Sequence, residues 1–296
     1  MIKKTKEEIA AKIIGYFVII LFAMICVLPF WLIIVGSVSD NGEIMRRGYS
    51  FLPRGFSWEA YKTIFKVPKE ILNSYKVTII VTLAGTLGQL ALCSMAGYVL
   101  SRKDFKYRNT ISFFFFFTTI FSAGLVPWYI LCVKYLNFKS HPYLAMIVPG
   151  LFNYFYIIII RSFMSDIPTS IPESAKIDGA NDFVIFLKLI LPMSKPVLAT
   201  VGLFAALNYW NDWYNAMLFV TSKDHFPLQY YLYTIINSAK ALSHIGASVN
   251  ATTMANLPTE TYKLAMTIVA TGPIVLVYPF VQKYFIKGMT VGAVKG

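Results

Sequence analysis

The 296-residue chain is 57% hydrophobic, above the roughly 45–50% typical of soluble domains. Its formal net charge is +13, from 27 Lys and Arg against 14 Asp and Glu. Because the basic residues flank long apolar runs, this charge indicates a membrane protein and argues against nucleic acid as a partner. Cys26, Cys93 and Cys132 lie inside apolar runs and predict neither a disulfide framework nor a metal site.

Six apolar runs are long enough to cross a lipid bilayer, whose core of about 30 Å needs about 20 helical residues. They predict an all-α membrane protein with six transmembrane helices. The predicted spans cover about 13–36, 74–100, 110–133, 142–163, 195–220 and 261–285. They make one transmembrane domain over residues 13–286, between a basic segment at 1–12 and a tail at 287–296.

The distribution of basic residues predicts the orientation of these spans. Six spans place both termini on the same side of the membrane. The short loop at 101–109 carries four Lys and Arg, and the loop at 134–141 carries two. Since short basic loops stay in the cytoplasm, the termini and the segment at 164–194 are predicted to be cytoplasmic.

The segment between the fourth and fifth spans is a polar island with helix start and stop signals. Ser170 and Glu173 have the spacing of a capping box, and Gly179 suits the left-handed turn that ends a short helix. Asn181 or the following aspartate can cap a second helix, and Pro192 predicts its end. The pattern predicts two short helices joined by a tight glycine turn.

Polar side chains also interrupt the fifth span. They are Asn208, Tyr209, Trp210, Asn211, Asp212, Trp213 and Tyr214. An Asp at the centre of a membrane helix costs about 2.5–3.5 kcal/mol, so such groups face a cavity or the bundle interior. Amides, a carboxylate and flat rings together suit a sugar, whose hydroxyls form hydrogen bonds and whose C–H faces stack on rings. The alternative is an interfacial aromatic belt with helix–helix hydrogen bonds.

Motifs for chemistry on the chain itself are missing from the sequence. It has no Gly-x-x-x-x-Gly-Lys-Ser/Thr motif for ATP and no zinc-protease or serine-hydrolase motif. His141, His225 and His244 do not have metal-ligand spacing. The sequence therefore predicts no catalytic residue, no metal site and no cofactor on this chain.

The polar island resembles the EAA loop in the membrane subunits of bacterial ABC importers. That loop reads Glu-Ala-Ala, three residues, Gly, nine residues, then Ile, any residue, Leu and Pro. The matching positions here, without a gap, are Glu173, Ala175, Gly179, Leu191 and Pro192. Ser174 replaces the second alanine, and Leu189 replaces the isoleucine. In that family the loop is the coupling helix, which sits in a groove of the ATP-hydrolysing subunit.

The resemblance extends over most of the chain and implies further contacts. Six spans, a long first external segment and the ending Gly-Ala-Val-Lys-Gly are similar to carbohydrate-type permeases such as the maltose importer's smaller membrane subunit, and to the oligo- and polysaccharide "lipoprotein permease" subclass. The contacts implied with the ATPase are those of Glu173, Ser174, Ala175, Asp178, Gly179, Leu191 and Pro192, and, from the tail, Gly292, Ala293 and Lys295. The segment at 221–260 is implied to contact an external binding protein.

The implied function is that of a transmembrane permease subunit, not an enzyme, in a bacterial plasma membrane. Its implied partners are a second homologous permease, two ATP-binding subunits that hold ATP and Mg, an extracellular sugar-binding lipoprotein and an oligosaccharide substrate. One alternative is a permease of the same superfamily for peptides, amino acids or a metal chelate. Another is an intramembrane enzyme or sensor, for which the sequence offers only Asp212 at membrane depth.

Overall fold

A computed structural model describes residues 6–66, 68–245 and 260–293. Over these ranges the chain is helical, and β structure is limited to one isolated bridge between Ser39 and Phe56. The predicted all-α class is confirmed. The chain divides into two compact units, one of Met1–Pro68 with Thr234–Gly272 and one of Lys69–Tyr233 with Pro273–Gly296.

The first unit begins with a long apolar helix. Its helices are α1 (Lys6–Ser37), α2 (Asn41–Arg47) and α3 (Glu59–Ile64). The part of α1 from Ala11 to Ser37 is apolar enough to cross a membrane, and only 6% of its most apolar window is buried. A helix that is apolar on every side needs lipid or another protein around it. This agrees with the first predicted span.

The second unit is built from helices that are mostly short. They are α4 (Pro68–Ser101), α5 (Arg108–Ile120), α6 (Leu125–Ile130), α7 (Pro142–Ile147), α8 (Tyr154–Ser165), α9 (Ser170–Ile177), α10 (Asp182–Ile185), α11 (Leu191–Met193), α12 (Lys195–Trp210) and α13 (Tyr214–Phe219). Two further helices contribute residues to both units, α14 (Leu228–Ile245) and α15 (Glu260–Ala293). The sixth predicted span falls within α15.

The third, fourth and fifth predicted spans are not straight helices. Arg108–Ile120 meets Leu125–Tyr135 at 109°, and Pro142–Gly150 meets Tyr154–Ser165 at 49°. The first break holds Gly124 with a φ of 86°, a conformation that glycine adopts without strain. In the described ranges α1 and α4 are the two single helices able to span a membrane, or five spans exist if each bent pair counts as one.

The fifth predicted span, at 195–220, differs most. α12 ends at Trp210, residues 211–213 are not helical, and α13 follows. At its other end the predicted start near Lys195 is confirmed, and Asp182–Met193 turns there by 82° into α12. The helix is interrupted where the side chains of Asn211 and Asp212 form hydrogen bonds with local backbone groups.

The core of the second unit lies between α4, α8 and α12. Its buried side chains include Cys93, Ile157, Ile160, Val201 and Ala205. Gly97 of α4 lies so close to α8 that a Cβ there would stand 2.8 Å from Ile160 Cγ2. Small residues at such contacts allow close helix packing inside a membrane. This core holds the polar segment and the fifth-span cluster in place.

Candidate functional site

The polar island folds as two short helices with a tight turn between them. Gly179 follows α9 with a φ of 80°, the left-handed conformation predicted for it. The N–H of Ala180 donates to the carbonyl of Ala175 at 2.9 Å. The N–H of Gly179 donates to the carbonyl of Lys176 at 3.0 Å. These bonds are typical of a helix that ends at a glycine, so the predicted turn is confirmed.

The capping of these helices agrees with the prediction only in part. The predicted N-cap Ser170 is the first residue of α9, and Thr169 precedes it without a side-chain capping bond. The predicted capping box is therefore wrong. Thr169 already has helical dihedral angles, with φ −63° and ψ −23°, whereas a capping residue is extended. The cap of α10 is confirmed, since Asn181 Oδ1 accepts the N–H of Val184 at 2.9 Å.

The second helix ends at Met193, one residue after Pro192, so the predicted end is confirmed. Helical backbone runs over Asp182–Met193 through a π turn at Phe186–Ile190. A π turn widens the helix by one residue and is frequent at functional sites. The change of direction comes after Met193, where the chain turns by 82° into α12.

The outer surface of α9 and α10 combines charged and apolar side chains. Ile177 is 87% exposed and Phe183 is 62% exposed. Glu173, Ser174 and Asp178 are also exposed. The remaining predicted contact residues are the exposed Gly179 and Pro192 and the half-buried Ala175 and Leu191. Ile177 and Phe183 were not among the contact residues predicted from the sequence, although each is an apolar residue next to polar ones.

The loop after α4 contacts this segment through charged side chains. Arg102 Nε donates to Asp104 Oδ1 at 2.9 Å, and its Nη1 lies 2.5 Å from Asp182 Oδ1. The hydrogen bond from Arg102 lowers the pKa of Asp104 to about 2. Arg102, Asp104, Glu173 and Lys176 line a cavity of about 420 Å³. In the sequence the basic residues of this loop indicate orientation, and nothing local reveals their pairing with Asp104 and Asp182.

The fifth-span cluster lines a second cavity, of about 200 Å³. Its lining residues from the predicted cluster are Asn208, Tyr209, Asn211, Asp212, Trp213 and Tyr214. Met146, Gly150 and Asn215 complete the lining. Trp210 is half-buried and does not line this cavity. The structure therefore brings together six of the seven predicted residues.

Tyr209 is a structural member of this cluster. It is 3% exposed, and its hydroxyl donates to the carbonyl of Ile147 at 2.9 Å. A Cβ on Gly85 or on Gly150 would come within 2.7 Å of Tyr209 atoms. The ring is therefore held between α4 and the break that precedes α8.

Both oxygens of the Asp212 carboxylate form hydrogen bonds with neighbouring groups of the protein. Its Oδ1 accepts the backbone N–H groups of Tyr214 and Asn215, each at 3.1 Å. Its Oδ2 accepts the side-chain amide of Asn215 at 2.8 Å. These bonds satisfy the free N–H groups at the start of α13. The carboxylate that suggested sugar binding thus caps the start of α13.

Two other residues of the cluster contact α14, one by ring stacking and one by a hydrogen bond between side-chain amides. Trp213 stacks on Tyr233 with centroids 4.4 Å apart, and Asn211 Oδ1 accepts the amide of Gln229 at 3.2 Å. Asn208 and Tyr214 are exposed. Of the seven residues, these two, Asn211 and Trp213 are exposed and line the cavity, so they have the surface to meet a ligand.

The tail and the segment at 221–260, which were also predicted to contact partner proteins, lie partly outside the described residues. Gly292 and Ala293 lie in the backbone of α15, and Lys295 lies outside the described residues. The segment at 221–260 contains α14, and residues 246–259 lie outside the described ranges. The proposed contacts of both regions remain predictions.

The chain is similar along nearly its whole length to proteins of sugar transport systems. It is 39% identical over 281 residues to the polygalacturonan/rhamnogalacturonan transport system permease protein YtcP of Bacillus subtilis, covering 95% of this chain and 96% of that protein. It is 39% identical over 274 residues to Protein LplC of the same organism, covering 92% and 90%. It is 27% identical to the trehalose/maltose transport system permease protein MalG of Thermococcus litoralis, covering 98% and 99%. No protein-family model matches the chain.

A solved structure has the same fold. It is described as the crystal structure of a bacterial ABC transporter involved in the import of the acidic polysaccharide alginate. One of its chains superposes with a TM-score of 0.81 at 29% identity, covering 96% of this chain and 100% of that one.

Proposed function

Because the chain belongs to the permease subunits of carbohydrate ABC importers, we propose that it forms half of the translocation pathway of an ATP-driven oligosaccharide importer. It is a multi-pass membrane protein and a transport component, not an enzyme. Its partners in this proposal are a second homologous permease, two ATP-binding subunits that hold ATP and Mg, and an extracellular sugar-binding lipoprotein. Both termini face the cytoplasm, on the same side as α9 and α10.

The observation that carries this function is the exposed surface of α9 and α10. Ile177, at 87% exposure, precedes Asp178 and lies one helical turn after Glu173, and both of these carboxylates are exposed. Phe183 of α10 is 62% exposed. Apolar side chains on a cytoplasmic surface indicate a docking site for another protein. The ATP-binding subunit occupies it in this proposal, with the carboxylates placed to meet basic or backbone N–H groups.

The fixed geometry of the segment suits the transmission of force. The hydrogen-bonded Gly179 turn and the Asn181 cap leave few free dihedral angles between α9 and α10. The second helix then enters α12 at 82°, so a push on the docking surface reaches the helix that carries Asn208. ATP-driven closure of the partner subunits thereby opens and closes the pathway by alternating access.

The substrate class rests on the cavity at the end of α12 and on the relatives. Exposed Asn208, Tyr214 and Trp213 offer an amide and aromatic surfaces, which suit sugar hydroxyls and sugar C–H faces. The relatives are described as permeases for polygalacturonan and rhamnogalacturonan, arabinooligosaccharides, and trehalose and maltose. We place this chain with them, and not with permeases for peptides or amino acids. The external binding protein contacts the segment at 221–260.

The test is the ATPase activity of the co-purified complex in lipid, with the binding protein and a panel of oligosaccharides. Wild type is compared with Gly179→Trp and with Gly179→Asn. Asn tolerates left-handed φ, whereas Trp there costs about 1–2 kcal/mol or tilts α9. We expect one sugar to stimulate wild type and Gly179→Asn, and Gly179→Trp to assemble without stimulation. Failure of any ATPase subunit to co-purify, or full stimulation of Gly179→Trp, would contradict the proposal.

A further inference from the structure

Arg102 joins the end of α4 to the coupling segment. It follows directly after α4, and only 21% of its side chain is exposed. Its Nε and Nη2 donate to the two carboxylate oxygens of Asp104, while Nη1 reaches Asp182 Oδ1 at 2.5 Å. The planar guanidinium thus holds one carboxylate from its own loop and one from the start of α10 at the same time.

A second cation completes the arrangement. Lys176 Nζ of α9 lies 3.7 Å from Asp104 Oδ2 and 3.6 Å from Asp182 Oδ1. The charge quartet is defined as Arg102, Asp104, Lys176 and Asp182. It has two positive and two negative charges, which alternate in space and come from three segments of the chain. Ion pairs organised as a network hold geometry better than isolated surface pairs.

Apolar contacts lie next to the quartet. The rings of Tyr98 on α4 and Phe186 in the π turn are 5.3 Å apart, at an angle of 32°. The Cζ of Arg102 is 5.9 Å from the centroid of the Tyr98 ring. Phe186 is buried, with 5% exposure. The end of α4 therefore meets the second coupling helix through a ring pair and an ion pair.

The other part of α4 reaches the cavity of the fifth-span cluster. Gln89 Nε2 donates to the carbonyl of Gly150, which lines that cavity. Gly85 lies against the ring of Tyr209, another lining residue. A single helix thus connects the quartet to two walls of the cavity. α9 and α10 are joined through the chain to α8 and α12, whereas their connection to α4 is made by side chains alone.

We propose that Arg102 is a positioning residue that ties the coupling helices to α4, so that a displacement of α9 and α10 moves α4 and the cavity wall with it. This inference rests on the proposed function, because it needs an ATPase that moves the coupling helices. Apolar packing alone allows α10 to slide or rotate over Tyr98. The bonds from Arg102 to two carboxylates restrict that freedom, since they fix direction as well as distance.

The test uses the complete transporter in lipid, with its binding protein and stimulating sugar. It measures the ratio of stimulated to basal ATPase activity and the sugar taken up per ATP hydrolysed. We expect Arg102→Gln and Asp182→Asn each to lower both quantities about threefold or more, with assembly and basal hydrolysis retained. The double variant is expected to be no worse than Arg102→Gln, because both remove the same pair. Arg102→Lys, which keeps the charge without the forked geometry, is expected to rescue only partly.

Lys103→Gln is the matched control, because it removes a basic charge from the adjacent, exposed position. It is expected to retain the wild-type ratio. If Arg102→Gln does not assemble, the Asp182→Asn variant alone tests the proposal. Its side chain is 55% exposed, so this substitution is expected to leave folding intact. Wild-type coupling in Asp182→Asn, or strictly additive losses in the double variant, would overturn the role of Arg102. Absence of stimulation in wild type would instead contradict the proposed function.

Discussion

The ring of Tyr209 lies against Gly85 of α4, so closely that a Cβ on Gly85 would stand 2.6 Å from ring carbons. On another side of the same side chain, a Cβ on Gly150 would stand 2.7 Å from the hydroxyl oxygen. Tyr209 can therefore occupy this position only because residues 85 and 150 are glycines without a Cβ. It fixes where α12 ends, and hence where the cavity of the fifth-span cluster lies.

Gly85→Ala is expected to destabilise the protein by about 1–3 kcal/mol, because the buried ring has no room to move away from the new methyl group. The measurement is the thermal or denaturant unfolding of the purified complex. Gly15→Ala is the matched control, since Gly15 also lies in a long apolar helix and has nothing within 4 Å of its Cβ position. The gain in helix propensity is then the same for both. Equal stability of the two variants would contradict the close packing of Tyr209 against Gly85.

Tyr209→Phe is expected to cost about 0.5–1.5 kcal/mol, because the carbonyl of Ile147 loses its donor and the ring stays in place. The KM for sugar uptake is expected to equal that of wild type, since the Tyr209 hydroxyl donates to the carbonyl oxygen of Ile147 at 2.9 Å and does not bind the sugar. Unfolding and concentration-dependent uptake are measured on the same preparation. A large rise in KM with unchanged stability would show instead that the hydroxyl binds the substrate.

Asp212 and Asn208 are expected to respond differently to substitution. Asp212→Ala is expected to weaken the start of α13 by about 1 kcal/mol, because the carboxylate accepts the N–H groups of Tyr214 and Asn215. Asn208→Ala is expected to raise the KM for sugar and to leave stability near that of wild type, since Asn208 is exposed in the cavity. Uptake kinetics and unfolding of both variants check this, and the reverse pattern would contradict the assignment.

The charge quartet predicts how stability depends on pH. Arg102 lowers the pKa of Asp104 to about 2, from an ordinary value of 3.8. A lowered folded-state pKa means that the stabilisation is fully present above about pH 5 and is lost as the pH falls through the folded pKa. The side chain is 59% exposed, so the contribution is small. The stability difference between wild type and Asp104→Asn is expected to be constant between about pH 5 and 8 and to shrink below about pH 4. A change between about pH 6 and 8 would contradict this assignment.

Local sequence signals were sufficient for several features. The long apolar runs indicated the membrane class, Gly179 indicated the left-handed turn, and Asn181 indicated the cap of α10. Each of these depends on a residue and its near neighbours, because backbone conformation and capping bonds form over a few residues. The spacing of the Glu173–Pro192 segment also indicated the family. Ser170 was the local error, because the chain entering α9 is already helical at Thr169.

The roles of the fifth-span residues required contacts between distant parts of the chain. Tyr209 and Asp212 looked like sugar ligands, and their partners show them to be packing and capping groups. The bends in the third and fourth predicted spans were equally invisible in hydropathy, because an apolar run has the same composition whether it is straight or broken. The quartet joins residues separated by about eighty positions, and a charged residue in a loop does not reveal its partner. Such contacts follow from the packing of α4, α8 and α12, where close approach at small residues brings distant side chains within bonding distance.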